Sequence, residues 1–114
     1  MGPGRALRRA LGLLLPAVLA TAGSAARADE IDVGRQKAQV CAVCHGVIGI
    51  SIQPDAPSLA GQPAPYLVAQ LRAFRSGARK QEVMTVMAKV LTDDDIAALA
   101  AWFSAIKVEA TSPR

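Results

Sequence analysis

Cys41-Ala42-Val43-Cys44-His45 gathers both cysteines and the one histidine of a 114-residue chain into a single run. Two thiols three residues apart lie on one helical turn, and an imidazole follows directly. Three structural or redox readings of such a run can be weighed on chemical grounds. A structural zinc site takes four protein ligands, and the chain holds only three Cys or His in all. A thioredoxin-like dithiol sits beside a βαβ pattern, and none flanks this run. A simple structural disulfide carries no more weight than the dithiol.

C-x-x-C-H is the attachment motif for c-type heme. Its spacing lets two thiols on a helical turn add to the two vinyl groups of one heme. The next residue then aims its imidazole at the iron as proximal ligand. The expected cofactor is therefore one covalent heme c, bonded to Cys41 and Cys44 and ligated by His45. A low-spin electron-transfer heme takes a second axial ligand, and Met is the usual partner of His. Beyond the initiator, Met84 and Met87 are the candidates. They stand one helical turn apart, so spacing alone does not separate them. Whichever is not the ligand has the ordinary role of a flexible core filler.

Working toward the N-terminus, Arg5, Arg8 and Arg9 precede an apolar run from Leu11 to Ala20, and Ala26-Arg27-Ala28 forms an A-x-A site. This layout predicts a secretory signal peptide over residues 1–28, cleaved between Ala28 and Asp29, with residues 29–114 as the domain. The apolar run is short for a bilayer span, which needs ~20 residues. Arg8-Arg9 raises the twin-arginine route, but the residues around it match poorly, so general export is expected. No later apolar run is long enough to cross a membrane, so the mature chain is expected in the periplasm without stable membrane insertion. The charge supports this division. The chain carries 13 Lys plus Arg against 9 Asp plus Glu, a formal net charge of +4. Arg5, Arg8, Arg9 and Arg27 all fall within residues 1–28, where no acidic residue occurs, and the remainder is formally neutral. The basic surplus concerns delivery, and nucleic acid is not an expected partner.

Working toward the C-terminus, a first helix is predicted over Asp32–Val43, with Asp29, Glu30 and Asp32 near its positive end. Gly34 sits inside it at a cost of roughly 1 kcal/mol against Ala. Residues 46–62 contain Gly46, Gly49, Pro54, Pro57 and Gly61 and read as a loop. A helix over Pro63–Ser76 begins on Pro63 and Pro65, places Leu67, Leu71 and Phe74 at helical spacing, and stops at Gly77. The last helix starts from a Thr92 cap followed by Asp93, Asp94 and Asp95. Ile96, Leu99, Ala100, Phe103 and Ile106 mark its apolar face. The tail from Ala110 to Arg114 looks frayed, and no alternating strand pattern or internal repeat appears.

From Gly34, through Cys41-x-x-Cys44-His45-Gly46 and Pro57-x-Leu59-Ala60-Gly61-Gln62, to Ala100-Ala101-Trp102-Phe103, the mature chain resembles the class I cytochromes c. It is most similar to the periplasmic group with mono- and di-heme members; having one copy of the motif, it resembles a single half of the latter. The resemblance implies a small all-α class I cytochrome c fold, three to four helices around one covalently attached heme. It implies that Gly34 lets the first and last helices cross closely, with Trp102 packed near the first. Gly77-x-Arg79 followed by Met84 resembles the group's ligand loop. Aligning Leu91-Thr92-Asp93 with the family's final helix entry then puts the axial ligand at Met84 rather than Met87. By the same resemblance, the Pro57 carbonyl accepts from His45 and Leu59 packs on the heme ring. Arg79 is expected to pair with a propionate, with Gln62 and Tyr66 as further polar contacts.

The function so implied is a one-electron carrier docking transiently on redox partner proteins. Lys37, Arg72, Arg75, Arg79, Lys80 and Lys89 could form a local basic ring for docking, or be scattered solvated charges. A second reading is the electron-accepting cytochrome subunit of a periplasmic dehydrogenase. A third, a heme enzyme or gas sensor with an open sixth position, has less to support it, because no nucleophile-base pair, carboxylate dyad or phosphate loop is present. The oligomeric state is left open, a monomer being the simplest expectation.

Overall fold

A computed structural model describes Met1 and residues 22–113; most of the predicted signal peptide lies outside the described residues. Five helices follow in order: α1 Ala22–Lys37, α2 Ala42–His45, α3 Ala64–Ser76, α4 Glu82–Lys89 and α5 Asp93–Ala105. No strand occurs among the described residues. α5 is the central element, packing against α1 on one side and α3 on another, while α4 packs on α3.

The α1–α5 crossing is close because position 34 lacks a side chain. A Cβ there would overlap the Ala98 carbonyl and come to 2.8 Å of the Trp102 Cβ. Lys37 Nζ then meets Asp95 Oδ1 at 2.5 Å, tying the end of α1 to the start of α5. The start of α5 is closed by a capping box, in which Thr92 Oγ1 accepts from Asp95 N and Asp95 Oδ2 accepts from Thr92 N. The core that results joins Ala38, Leu67, Leu99, Ala100 and Phe103, with Leu59, Val68, Leu71 and Leu91 half-buried around it.

Three boundaries differ from the sequence expectation. The first helix begins at Ala22 rather than Asp32, extended by the good helix formers Ala22, Ala25, Ala26 and Ala28. The predicted Ala28–Asp29 cleavage point thus falls within α1, in a stretch whose side chains are exposed. The same helix ends at Lys37 rather than running to Val43. Its hydrogen bonds tighten at that point, with Gln39 N donating to Gln36 O and Cys41 N to Ala38 O, before four-residue spacing resumes into the one-turn α2. The third difference is α4, a two-turn helix not expected from the sequence, which takes in Met84 of the stretch resembling the family's ligand loop. Gln81 initiates it by accepting the Met84 N–H on its side-chain oxygen at 2.6 Å.

Candidate heme-attachment site

The tightened turn between α1 and α2 delivers the cysteine–histidine run as a separate helical turn. His45 is buried, with 7% of its surface exposed, and Cys41 and Cys44 are half-buried. Gly46 ends the turn with φ of +83°, and a Cβ at this position would overlap the Ile50 carbonyl. The chain therefore reverses directly behind the imidazole.

The loop that follows is fastened back onto the run. Leu59 N and Ala60 N both donate to Gly49 O, and Gly61 N donates to Phe103 O at 2.8 Å. These bonds place Pro57 over His45, whose Nδ1 donates to the Pro57 carbonyl at 2.7 Å. With Nδ1 holding the proton, Nε2 is left with its lone pair free to ligate a metal. Two further residues brace the run, neither of them signalled by any motif. Ser51 Oγ donates to Cys44 O at 3.0 Å, and Gln53 Nε2 donates to Val43 O at 3.1 Å.

Cys41 and Cys44 are not joined to each other by a disulfide. Burial pushes the Cys41 thiol above its ordinary pKa. Among the described residues no three His, Cys, Asp or Glu side chains converge as a metal cage. The run thus presents one nitrogen ligand preceded by two cysteines.

The remaining chain fits a large apolar group at this place. Of the nine buried hydrophobic residues among those described, Ala38, Ala88, Ala98 and Ala100 are alanines, and Ile96 is the largest side chain that is fully buried. Large aliphatic residues stand exposed beside the motif instead: Val43 at 77%, Val47 at 76% and Ile52 at 93%. A core so poor in large side chains, next to apolar residues in water, suits a flat hydrophobic ring anchored at Cys41, Cys44 and His45.

The other expected site residues are distributed as follows. Leu59 packs half-buried against the core cluster. Met84 lies half-buried in the first turn of α4, while Met87, one turn on, is 37% exposed. Arg79 donates from Nη1 to Gln70 Oε1 at 2.6 Å and lies 4.6 Å over the Phe74 ring, so its guanidinium is already engaged with α3. Gln62 donates to Ser58 O at 2.7 Å, and Tyr66 is exposed on α3.

Comparison with known proteins agrees with this geometry. The family model described as Cytochrome c matches residues 31–107. Cytochrome c-554(548) of Halomonas halodenitrificans is 41% identical over 80 residues, covering 68% of this chain and 96% of that protein. The crystal structure of reduced recombinant cytochrome c4 from Pseudomonas stutzeri matches with a TM-score of 0.64 at 40% identity, over 68% of this chain and 45% of that one. The thiosulfate dehydrogenase electron acceptor of Stutzerimonas stutzeri is 42% identical over 67 residues, covering 56% of this chain and 31% of that protein. The chain spans about half the length of the cytochromes c4 it matches. Motif, helical fold and matched span agree: this chain belongs to the cytochrome c family, with Cys41, Cys44 and His45 as the attachment run for one covalent heme c.

Proposed function

We propose that this chain is an exported one-electron carrier, with His45 and Met84 as the axial pair and redox proteins of the periplasm as transient partners. The observation that carries this reading is the buried His45, its Nδ1 committed to the Pro57 carbonyl and its Nε2 left to ligate, directly after Cys44 in the run. When bound, the heme supplies a ferric–ferrous couple, which needs no substrate site. The residues of the chain hold that couple rather than perform chemistry on a substrate. The hydrogen bond to Pro57 keeps the imidazole ring fixed in both oxidation states and raises its basicity. A thioether ligand and an apolar surround favour the ferrous form and raise the potential. Met84 is preferred to Met87 because it is the less exposed of the two and its own N–H is held by the Gln81 cap. Leu59 would pack on the ring, and Arg79 would reach a propionate with the donors not used on Gln70. Residues 1–28 would direct export and be removed after Ala28.

Absorption spectra of the exported protein, oxidised and reduced, test the ligand pair. Loss of the sulfur-to-iron charge-transfer band in Met84→Ala, with the band kept in Met87→Ala, is the expected result. Loss in Met87→Ala alone would overturn the assignment. A high-spin ferric spectrum with rapid carbon monoxide binding to the ferrous wild type would overturn the carrier reading.

Similarity to a thiosulfate dehydrogenase electron acceptor favours one second reading, a cytochrome that accepts electrons within a dehydrogenase assembly. A stoichiometric enzyme partner that co-purifies at physiological salt would establish it over the free carrier.

A further inference from the structure

We propose that Arg75 is a positioning residue for the axial methionine, acting through the Leu91 carbonyl at the joint between α4 and α5. This rests on the assignment of Met84 as ligand. α4 has little to hold it in place. Among the other helices it packs on α3 alone, and Ala88 is its one buried residue. Its orientation therefore depends on how its two ends are fastened, and both fastenings come from the last turns of α3. Before α4, Arg79 N donates to Ala73 O at 3.0 Å. After α4, Arg75 Nη1 donates to Leu91 O at 3.0 Å, and Arg75 Nη2 meets Asp93 Oδ1 at 2.6 Å.

The Arg75 fork is the fastening that fixes the helix. Leu91 directly follows the C-cap Val90, and its N–H donates to the O of buried Ala88 at 3.1 Å. A guanidinium gripping the Leu91 carbonyl thus holds the last turn of α4 against α3 and the first residue of α5. Two helical turns are a stiff unit, so movement at Leu91 is carried to the turn that bears Met84. The two arms of the fork are not equivalent. Asp93 is 65% exposed and is also approached by Arg72 Nε at 3.6 Å, so that ion pair is screened and replaceable. The Leu91 carbonyl is part-buried, and Arg75 is the side chain that reaches it. Lysine offers a single point charge where arginine offers a planar fork, and so replaces it only in part.

The test uses the ferric holoprotein with imidazole as the probe. Imidazole enters the sixth position only after the methionine leaves, so its binding rate reports how firmly the ligand is held. Arg75→Leu is expected to speed imidazole binding roughly tenfold or more, the effect of losing one charge-assisted hydrogen bond, and to weaken the sulfur-to-iron band. Arg75→Lys should recover part of the wild-type rate, and Asp93→Asn should stay within about twofold of it, as an exposed ion pair allows. Gly34→Ala, which strains the α1–α5 crossing away from α4, should lower stability without changing the rate.

A wild-type rate in Arg75→Leu, with the band lost in Met84→Ala, would overturn the positioning role and leave the ligand assignment standing. An intact band in Met84→Ala would overturn the ligand assignment itself, and the proposal with it. Equal acceleration in Gly34→Ala and Arg75→Leu would reduce Arg75 to general stability and also overturn the proposal.

Discussion

At position 34 the absence of a single carbon sets the distance between two helices. A Cβ added there would meet the Ala98 carbonyl and the Trp102 Cβ together, leaving no direction in which a side chain could turn. The Ala98 carbonyl is backbone and cannot swing aside as the end of a flexible side chain would. Overpacking of this kind costs about 1–3 kcal/mol, so Gly34→Ala should lower the free energy of unfolding by that amount in a denaturant titration. Its heme spectrum should remain that of the wild type, since the crossing lies between α1 and α5. His45 shows how much one contact decides at the site: a single backbone carbonyl, Pro57 O at 2.7 Å, determines which ring nitrogen is left for a metal.

Among the elements, α5 shows how a helix end becomes a fastening point. Asp95 closes the capping box and also receives Lys37 from α1. The hydrogen bond from Lys37, reinforced by the N–H and hydroxyl of Thr92, lowers the Asp95 pKa from an ordinary 3.8 to about 2. A carboxyl depressed in the folded state stabilises the fold at pH values above its unfolded pKa. That contribution is lost as pH falls through the folded value, here between about 4 and 2. Thermal midpoints measured across this window should fall in the wild type, and Asp95→Asn should flatten that part of the curve while lowering the midpoint at neutral pH. Thr92→Ala removes the side-chain cap and should cost about 1 kcal/mol in chemical unfolding. This helix was legible in the sequence because capping is local: Thr92 and three acidic residues announce it. α4 was not, since Val83, Thr85 and Val86 are β-branched and weak helix formers, and the helix stands on the Gln81 cap and on packing against α3. The break after Lys37 was hidden for a similar reason, being a change of hydrogen-bond spacing within a run that remains helical in pattern. At the site, Cys41, Cys44 and His45 were readable as one motif. Pro57, 12 residues away across a loop, was reachable through family resemblance, whereas Ser51 and Gln53 carried no signal at all.

For the molecule as a whole, the question is what completes its interior. A domain of this size buries only about 60% of its unfolded surface and is marginal without a staple or cofactor. Here four of the nine buried hydrophobic residues are alanines, while Val43, Val47 and Ile52 remain in water beside the motif. The helices are joined at few points, by the Gly34 crossing, the Lys37–Asp95 pair and the Arg75 fork. None of these joins the Cys41–His45 turn to α4. A covalent heme held by Cys41, Cys44 and His45 would do so if Met84 is its second ligand, as proposed. The double variant Cys41→Ser, Cys44→Ser keeps His45 and Met84 but removes both covalent bonds. Produced alongside the wild type in cells able to attach heme c, it is expected to lack heme after dialysis and to lose most of its far-ultraviolet helical signal at room temperature. Its thermal unfolding should be broad or absent, against a cooperative transition in the wild type. Retention of a sharp transition with full helical content in the heme-free variant would show instead that the helices pack stably on their own, and that the exposed valines and isoleucines serve a surface rather than an interior.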